Sequence, residues 1–139
     1  MYMTPSTILL IHYDPRSQDK HRQLLEENGF KVLLAKDGAT GIATFLEREP
    51  DLVLLEAMLP KVHGFEVCAD LKKTTLGRKT PVVIMSSIYK GRKYRHEAMH
   101  THGADDFLEM PMDTAKLVAA LTKLLDRSGK LASGAETGS

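Results

Sequence analysis

Only one cysteine, Cys68, occurs in this 139-residue chain. An internal disulfide is therefore impossible, and a reducing, cytoplasmic setting is the expectation. Charge of one sign is also missing. Nineteen Lys and Arg stand against eighteen Asp and Glu, a formal net charge of +1. No global field draws such a chain to DNA, to a membrane or to an acidic substrate. Long apolar runs are missing as well. The N-terminal segment has no basic stretch followed by a long apolar one, and Ile8 to Ile11 is only four residues. That argues against secretion and against a membrane span. No internal repeat of about 20–50 residues is evident, which removes solenoid architectures. With 42% apolar and 27% charged residues, the composition is that of an ordinary globular domain, and the length suits one domain with a real core.

What is present is alternation. Short apolar runs read as strands: Ile8–Ile11, Val32–Ala35, Leu52–Leu55, Val82–Met85 and the weaker Asp106–Leu108. Being apolar throughout, they call for cover on both faces, as in a parallel sheet. Helical patterns lie between them. Asp14-Pro15 is an N-cap followed by Pro at the first helical position, and Asn28-Gly29 closes that helix. Asp37 caps a second helix carrying Ile42, Phe45 and Leu46, and a third follows Gly64. A fourth is expected from about Gly91 to His102. A fifth starts at Asp113, with Leu117, Val118, Leu121, Leu124 and Leu125 as one apolar stripe. Five β-α units predict an α/β fold, a doubly wound five-stranded parallel sheet of flavodoxin-like order 2-1-3-4-5. The domain is expected over residues 6–127. Residues 128–139, small and polar, read as a flexible tail or linker.

In such a sheet, ligands bind beyond the carboxyl ends of the strands, where the strand order reverses. That points to His12, Tyr13 and Asp14 after the first strand and to Glu56 after the third. Ser86 and Met110 flank them after the fourth and fifth. Here the sequence resembles the receiver domains of bacterial response regulators. The resemblance rests on Pro50 to Pro60 continuing to His63-Gly64-Phe65-Glu66-Val67-Cys68, on Thr80 to Ser87, and on Gly103 to Pro111. It implies a phosphoryl-accepting aspartate, two adjacent acidic residues that hold Mg²⁺, and a lysine before the proline of the fifth strand. This chain has Glu56, His12 with Tyr13, and Met110 at those places. Only the small hydroxyl position, Ser86, and the aromatic switch position, Phe107, follow the pattern.

Phosphoryl transfer depends on positioning and charge neutralisation. Mg²⁺ wants oxygen ligands at about 2.0–2.1 Å in near-octahedral geometry, and the extra methylene of Glu56 displaces a nucleophile by about 1.5 Å. The site is therefore read as a degenerate phospho-acceptor pocket, with no catalytic residue, no metal and no cofactor, and weak or absent Mg²⁺ binding. Glu56 is expected to cap a loop or to hydrogen-bond Ser86 or Tyr13, or to imitate an aspartyl phosphate. Its pKa should be raised unless His12 pairs with it. Asp14 is most simply a cap, Ser86 a turn residue, and Phe107 inward-facing.

The output face implied by the resemblance is the fourth helix, fifth strand and fifth helix. Lys90, Arg92, Lys93, Tyr94 and Arg95 fall there. They suggest a protein partner (a histidine kinase or a downstream effector) or a homodimer, with nucleic acid and membrane disfavoured. The spacing from Ser86 to Gly103 runs a couple of residues long, which puts the geometry of the fourth helix in question. The leading reading is a signalling domain, not an enzyme, that acts by phosphorylation-independent contact. The alternatives are a phosphorelay receiver that uses Glu56 and a flavodoxin-like cofactor binder. The latter is weakened by a His12-to-Arg16 loop that has no glycine and includes Pro15.

Overall fold

Each apolar run becomes a strand in the computed structural model, which describes residues 5–129. The strands are β1 (Thr7–Ile11), β2 (Lys31–Ala35), β3 (Leu52–Glu56), β4 (Val82–Ser86) and β5 (Asp106–Glu109). The helices are α1 (Pro15–Glu27), α2 (Gly38–Arg48), α3 (Gly64–Lys72), α4 (Thr75–Lys79), α5 (Arg92–His96) and α6 (Thr114–Arg127). All five strands run parallel in the order β2-β1-β3-β4-β5. This is the predicted topology. The tail expected over 128–139 falls, from residue 130 onward, outside the described residues.

Side chains alternate across the sheet and supply two cores. Leu9, Ile11, Val53, Leu55 and Ile84 point to one face, where Phe45, Val67 and Leu71 cover them. Ile8, Leu10, Leu54, Val83 and Met85 point to the other, against Leu25 of α1 and Leu117, Leu121 and Leu125 of α6. Each fully buried aliphatic side chain contributes about 1.5–3 kcal/mol relative to exposure. Cover on both faces holds for β1, β3 and β4. The edge strand β2 departs from it, with Leu34 43% exposed.

The caps follow the sequence. Asp14 accepts from the Ser17 N–H at 3.0 Å, and Asp37 from the Thr40 N–H at 2.8 Å. Val118 departs from the predicted stripe: it is half-buried and lies outside the core that Leu117, Leu121 and Leu125 enter. The short helix α4 was not anticipated from sequence. Thr74 caps it by accepting from the Gly77 N–H at 2.8 Å, and Lys72 Nζ donates to the Gly77 and Thr80 carbonyls and pairs with Asp105. The fourth helix expected from sequence is therefore α5, and the fifth is α6. The former is also not one continuous α-helix. After His96 the chain continues as a π-helical turn, Glu97–Thr101, which accommodates the long spacing noted between Ser86 and Gly103.

Gly64 sets the approach of α3 to the end of β3. A Cβ here would meet the Glu56 carbonyl and stand 2.8 Å from Ala57 Cα, both backbone atoms that cannot rotate away. The Gly64 N–H donates to the Ala57 carbonyl at 2.8 Å. Gly64→Ala should therefore destabilise the fold by about 1–3 kcal/mol. The check is a lowered urea midpoint with an unchanged slope; an unshifted midpoint would show that the loop gives way freely.

Candidate functional site

The carboxyl ends of β1 and β3 bring His12 and Glu56 together. Both are almost fully buried, 6% and 8% exposed. His12 follows β1 directly, and its N–H donates to the Ala35 carbonyl at 3.0 Å. Buried Gln18 of α1 donates to the His12 and Ala35 carbonyls, which ties α1 to the ends of β1 and β2. On the ring, Nδ1 accepts from the Asp14 N–H at 3.1 Å. The ring proton therefore sits on Nε2, which lies 3.5 Å from Glu56 Oε1. The other carboxyl oxygen, Oε2, accepts from the Met58 N–H at 3.2 Å.

Electrostatics keep this pair from being a strong ion pair. The His12 pKa is lowered from 6.5 to about 4, mainly by burial and then by His21, with Asp14 opposing them. The ring is neutral at pH 7. Burial raises the Glu56 pKa, against the Met58 and Ala57 N–H groups, which stabilise the anion. Glu56 thus caps its own loop, as expected, but through Met58 and not through Ser86 or Tyr13. The pKa rises although His12 stands beside it, because a neutral imidazole offers no compensating charge.

The remaining candidates scatter. Met110 lines the same crevice, in a cavity of about 310 Å³ that also takes in His12 and Glu56. Ser86 is fully buried, and its Oγ accepts from the Ile88 and Tyr89 N–H groups at 3.1 and 2.8 Å, the turn role expected of it. Tyr13 is 49% exposed and stacks on His12 from outside, so it does not belong to the pocket. Asp14 also stands aside as the cap of α1, and its bonds from Ser17 lower its pKa. Phe107 is inward, 2% exposed, edge-on to Phe65 at 6.1 Å. Lys20 and His21 of α1 line the cavity and were missed from sequence. Their helical spacing from Ser17 and Leu24 was the available signal.

On the output face, Lys90, Arg92 and Lys93 are exposed. Lys93 Nζ lies 5.8 Å from the centre of the Tyr94 ring, and Tyr94 packs on Tyr89 at 4.9 Å. Arg95 acts locally. It pairs with Asp106 at 3.1 Å and donates to the Phe107 carbonyl at 2.9 Å, fastening α5 to β5. No residue of α5 itself is buried.

A five-stranded 2-1-3-4-5 sheet with a crevice at the ends of β1 and β3 is a flavodoxin-like arrangement, and the sequence comparisons narrow it to the receivers. The chain belongs to the response regulator receiver domain family, which it matches over residues 8–122. It is 34% identical over 129 residues to the DNA-binding dual master transcriptional regulator RpaA of Synechocystis sp., covering 93% of this chain and 53% of that protein. It is 34% identical over 121 residues to the transcriptional regulatory protein CpxR of Klebsiella pneumoniae, covering 87% and 50%. The chain thus spans about half the length of these curated relatives. Among solved structures, a two-component response regulator from Clostridium difficile superposes with a TM-score of 0.78 at 27% identity, over 88% of this chain and 97% of that one. The BeF3-activated N-terminal receiver domain of Klebsiella pneumoniae RstA gives 0.80 at 25% identity, over 86% and 98%. Among the described residues, no helix is long and apolar enough to cross a membrane.

The neutral histidine has a consequence for acid stability. Unfolded, His12 takes up a proton near its ordinary 6.5; folded, only near 4. Between those values the unfolded state binds more protons, so this group makes stability fall as pH falls. Glu56 has the opposite sign: its raised pKa favours the fold below its ordinary value, and that contribution is lost as pH rises through the raised one. Replacing His12 alone separates the two. From pH 7 to pH 4, His12→Asn should lose on the order of 3 kcal/mol less unfolding free energy than the parent. Parallel pH profiles from urea titrations would rule this out.

Proposed function

We propose that this receiver signals by protein contact and takes no phosphoryl group at residue 56. The carrying observation is the pairing of a neutral, buried His12 with a buried Glu56, in a crevice that Met110 also lines. The family resemblance assigns a magnesium-binding carboxylate, the acceptor aspartate and a lysine to those three positions. A magnesium ion fits poorly. It needs hard oxygen donors, and the pocket offers one carboxyl, already engaged by Met58, beside an imidazole. Among the described residues, no three His, Cys, Asp or Glu side chains are grouped to hold a metal ion. Met110 brings no charge to offset phosphoryl oxygens, so no step through magnesium is derived for this chain. On this reading the domain catalyses nothing itself.

Contact would run through α5, β5 and α6. Between these elements lies a shallow groove of about 450 Å³, with Met99, Ala120 and Leu124 as apolar lining, Lys116, Lys123 and Arg127 along α6, and Asp105 and Asp106 at the start of β5. Exposed Lys90, Arg92 and Lys93 extend the basic character beyond it. Such a surface suits an acidic face of a protein partner, a histidine kinase or a downstream effector, reached in a reducing cytoplasm. Cys68, buried with its thiol pKa pushed up to about 12, is inert in that setting.

Incubation with acetyl phosphate and Mg²⁺ followed by intact-mass spectrometry tests the proposal. The parent chain should gain no phosphoryl mass. The combined change His12→Asp, Tyr13→Asp, Glu56→Asp and Met110→Lys should gain one. A phosphoryl adduct on Glu56 of the parent would refute the proposal and establish the phosphorelay alternative.

A further inference from the structure

The crevice continues between α1 and α6 as the cavity of about 310 Å³. That is at the low end of the roughly 300–1,000 Å³ typical of small-molecule sites, which are mostly apolar with a few convergent polar groups. The lining is amphipathic. Leu24, Met110, Met112 and Leu117 supply an apolar wall, Ser17, His21, Ser87 and Thr114 add polar groups, and His12 with Glu56 closes one end. Methionine side chains are flexible and polarizable, so the walls can mould to an apolar body. Lys20 lines the same cavity, is exposed, and has no ion pair among the described residues.

We propose that this cavity binds a small amphipathic acid, its apolar body among the methionines and its carboxylate held by Lys20. The proposal rests on the reading that the crevice takes no phosphoryl group. The polarity of the site sets the orientation. The carboxyl of Glu56 disfavours a second carboxylate at the inner end, and the free ammonium of Lys20 favours one at the outer end. Occupancy would reach the contact face through one helix. Thr114 and Leu117 of α6 line the cavity, while Lys116, Ala119, Ala120 and Lys123 of the same helix line the groove beside β5. A ligand that shifts α6 therefore reshapes the partner surface.

Methionine-methyl NMR on the intact chain, titrated with octanoate, tests this. Saturable shifts are expected at Met110 and Met112, larger than at Met99, which lies on the groove side. Octanol, which has the same apolar body without the charge, should bind about fivefold more weakly, and Lys20→Ala should weaken octanoate by about fivefold. Lys20 is exposed, so this variant is expected to fold. Inorganic phosphate should move neither methyl. The proposal falls if octanoate gives no saturable shift, if Lys20→Ala binds it as tightly as the parent, or if phosphate reproduces the shifts. An acetyl phosphate arm with Mg²⁺ keeps the two readings apart. A phosphoryl adduct there overturns the phosphoryl-free crevice, whereas unlabelled protein without octanoate shifts overturns the cavity proposal alone.

Discussion

A parallel sheet buried on both faces governs the rest of this molecule. Its strands can be paired and covered only if helices pack on each side, and the chain reverses its winding between β1 and β3. The residues that end those two strands, His12 and Glu56, are thereby forced together and cut off from water. Desolvation then decides their chemistry. It disfavours the imidazolium and the carboxylate alike, and because the imidazole is neutral at pH 7 the two side chains do not meet as a charged pair.

The proposal that residue 56 takes no phosphoryl group rests on this electrostatic state. A cluster of carboxylates can bear burial because a divalent ion compensates it, and an ammonium group can then neutralise the incoming oxygens. Here the compensation is local and uncharged: Met58 and Ala57 N–H groups for Glu56, the Asp14 N–H for His12. Met110 adds apolar surface where the family pattern has a cation. With Leu24, Met112 and Leu117 it gives the recess beside α1 and α6 an apolar side. The scaffold around it is intact. Gln18 still ties α1 to the sheet, and Phe107 is still packed beneath α5 against Phe65.

The opposite face of the molecule shows how the same sheet leaves one element loosely held. α5 has no buried residue of its own, and it is secured by Arg95 on β5, by the Gly91 N–H on Glu109 and by tyrosine packing. Ala98, in the π-helical turn that follows, is the first residue there to enter the core. A segment with few buried anchors opens at low free-energy cost, which suits a surface that must adapt to a partner.

The strands, five of the six helix starts and the site's location at the ends of β1 and β3 were legible from sequence, because apolar runs, Asp caps and Pro and Gly breaks act through neighbouring residues. The identities of His12, Glu56 and Met110 at the site were legible for the same reason, being carried by the sequence alone. Other features had weak local signatures. Helix α4 has a Thr74 cap but is only five residues long, and the π-helical turn interrupts an otherwise helical stretch between β4 and β5. Glu56 bonding Met58 while His12 stays neutral, Tyr13 turning outward, and Lys20 and His21 joining Met110 across a cavity were decided only by tertiary structure. Those outcomes turn on burial and on distances between segments far apart in the chain, and both exist only once the two helical layers have closed on the sheet.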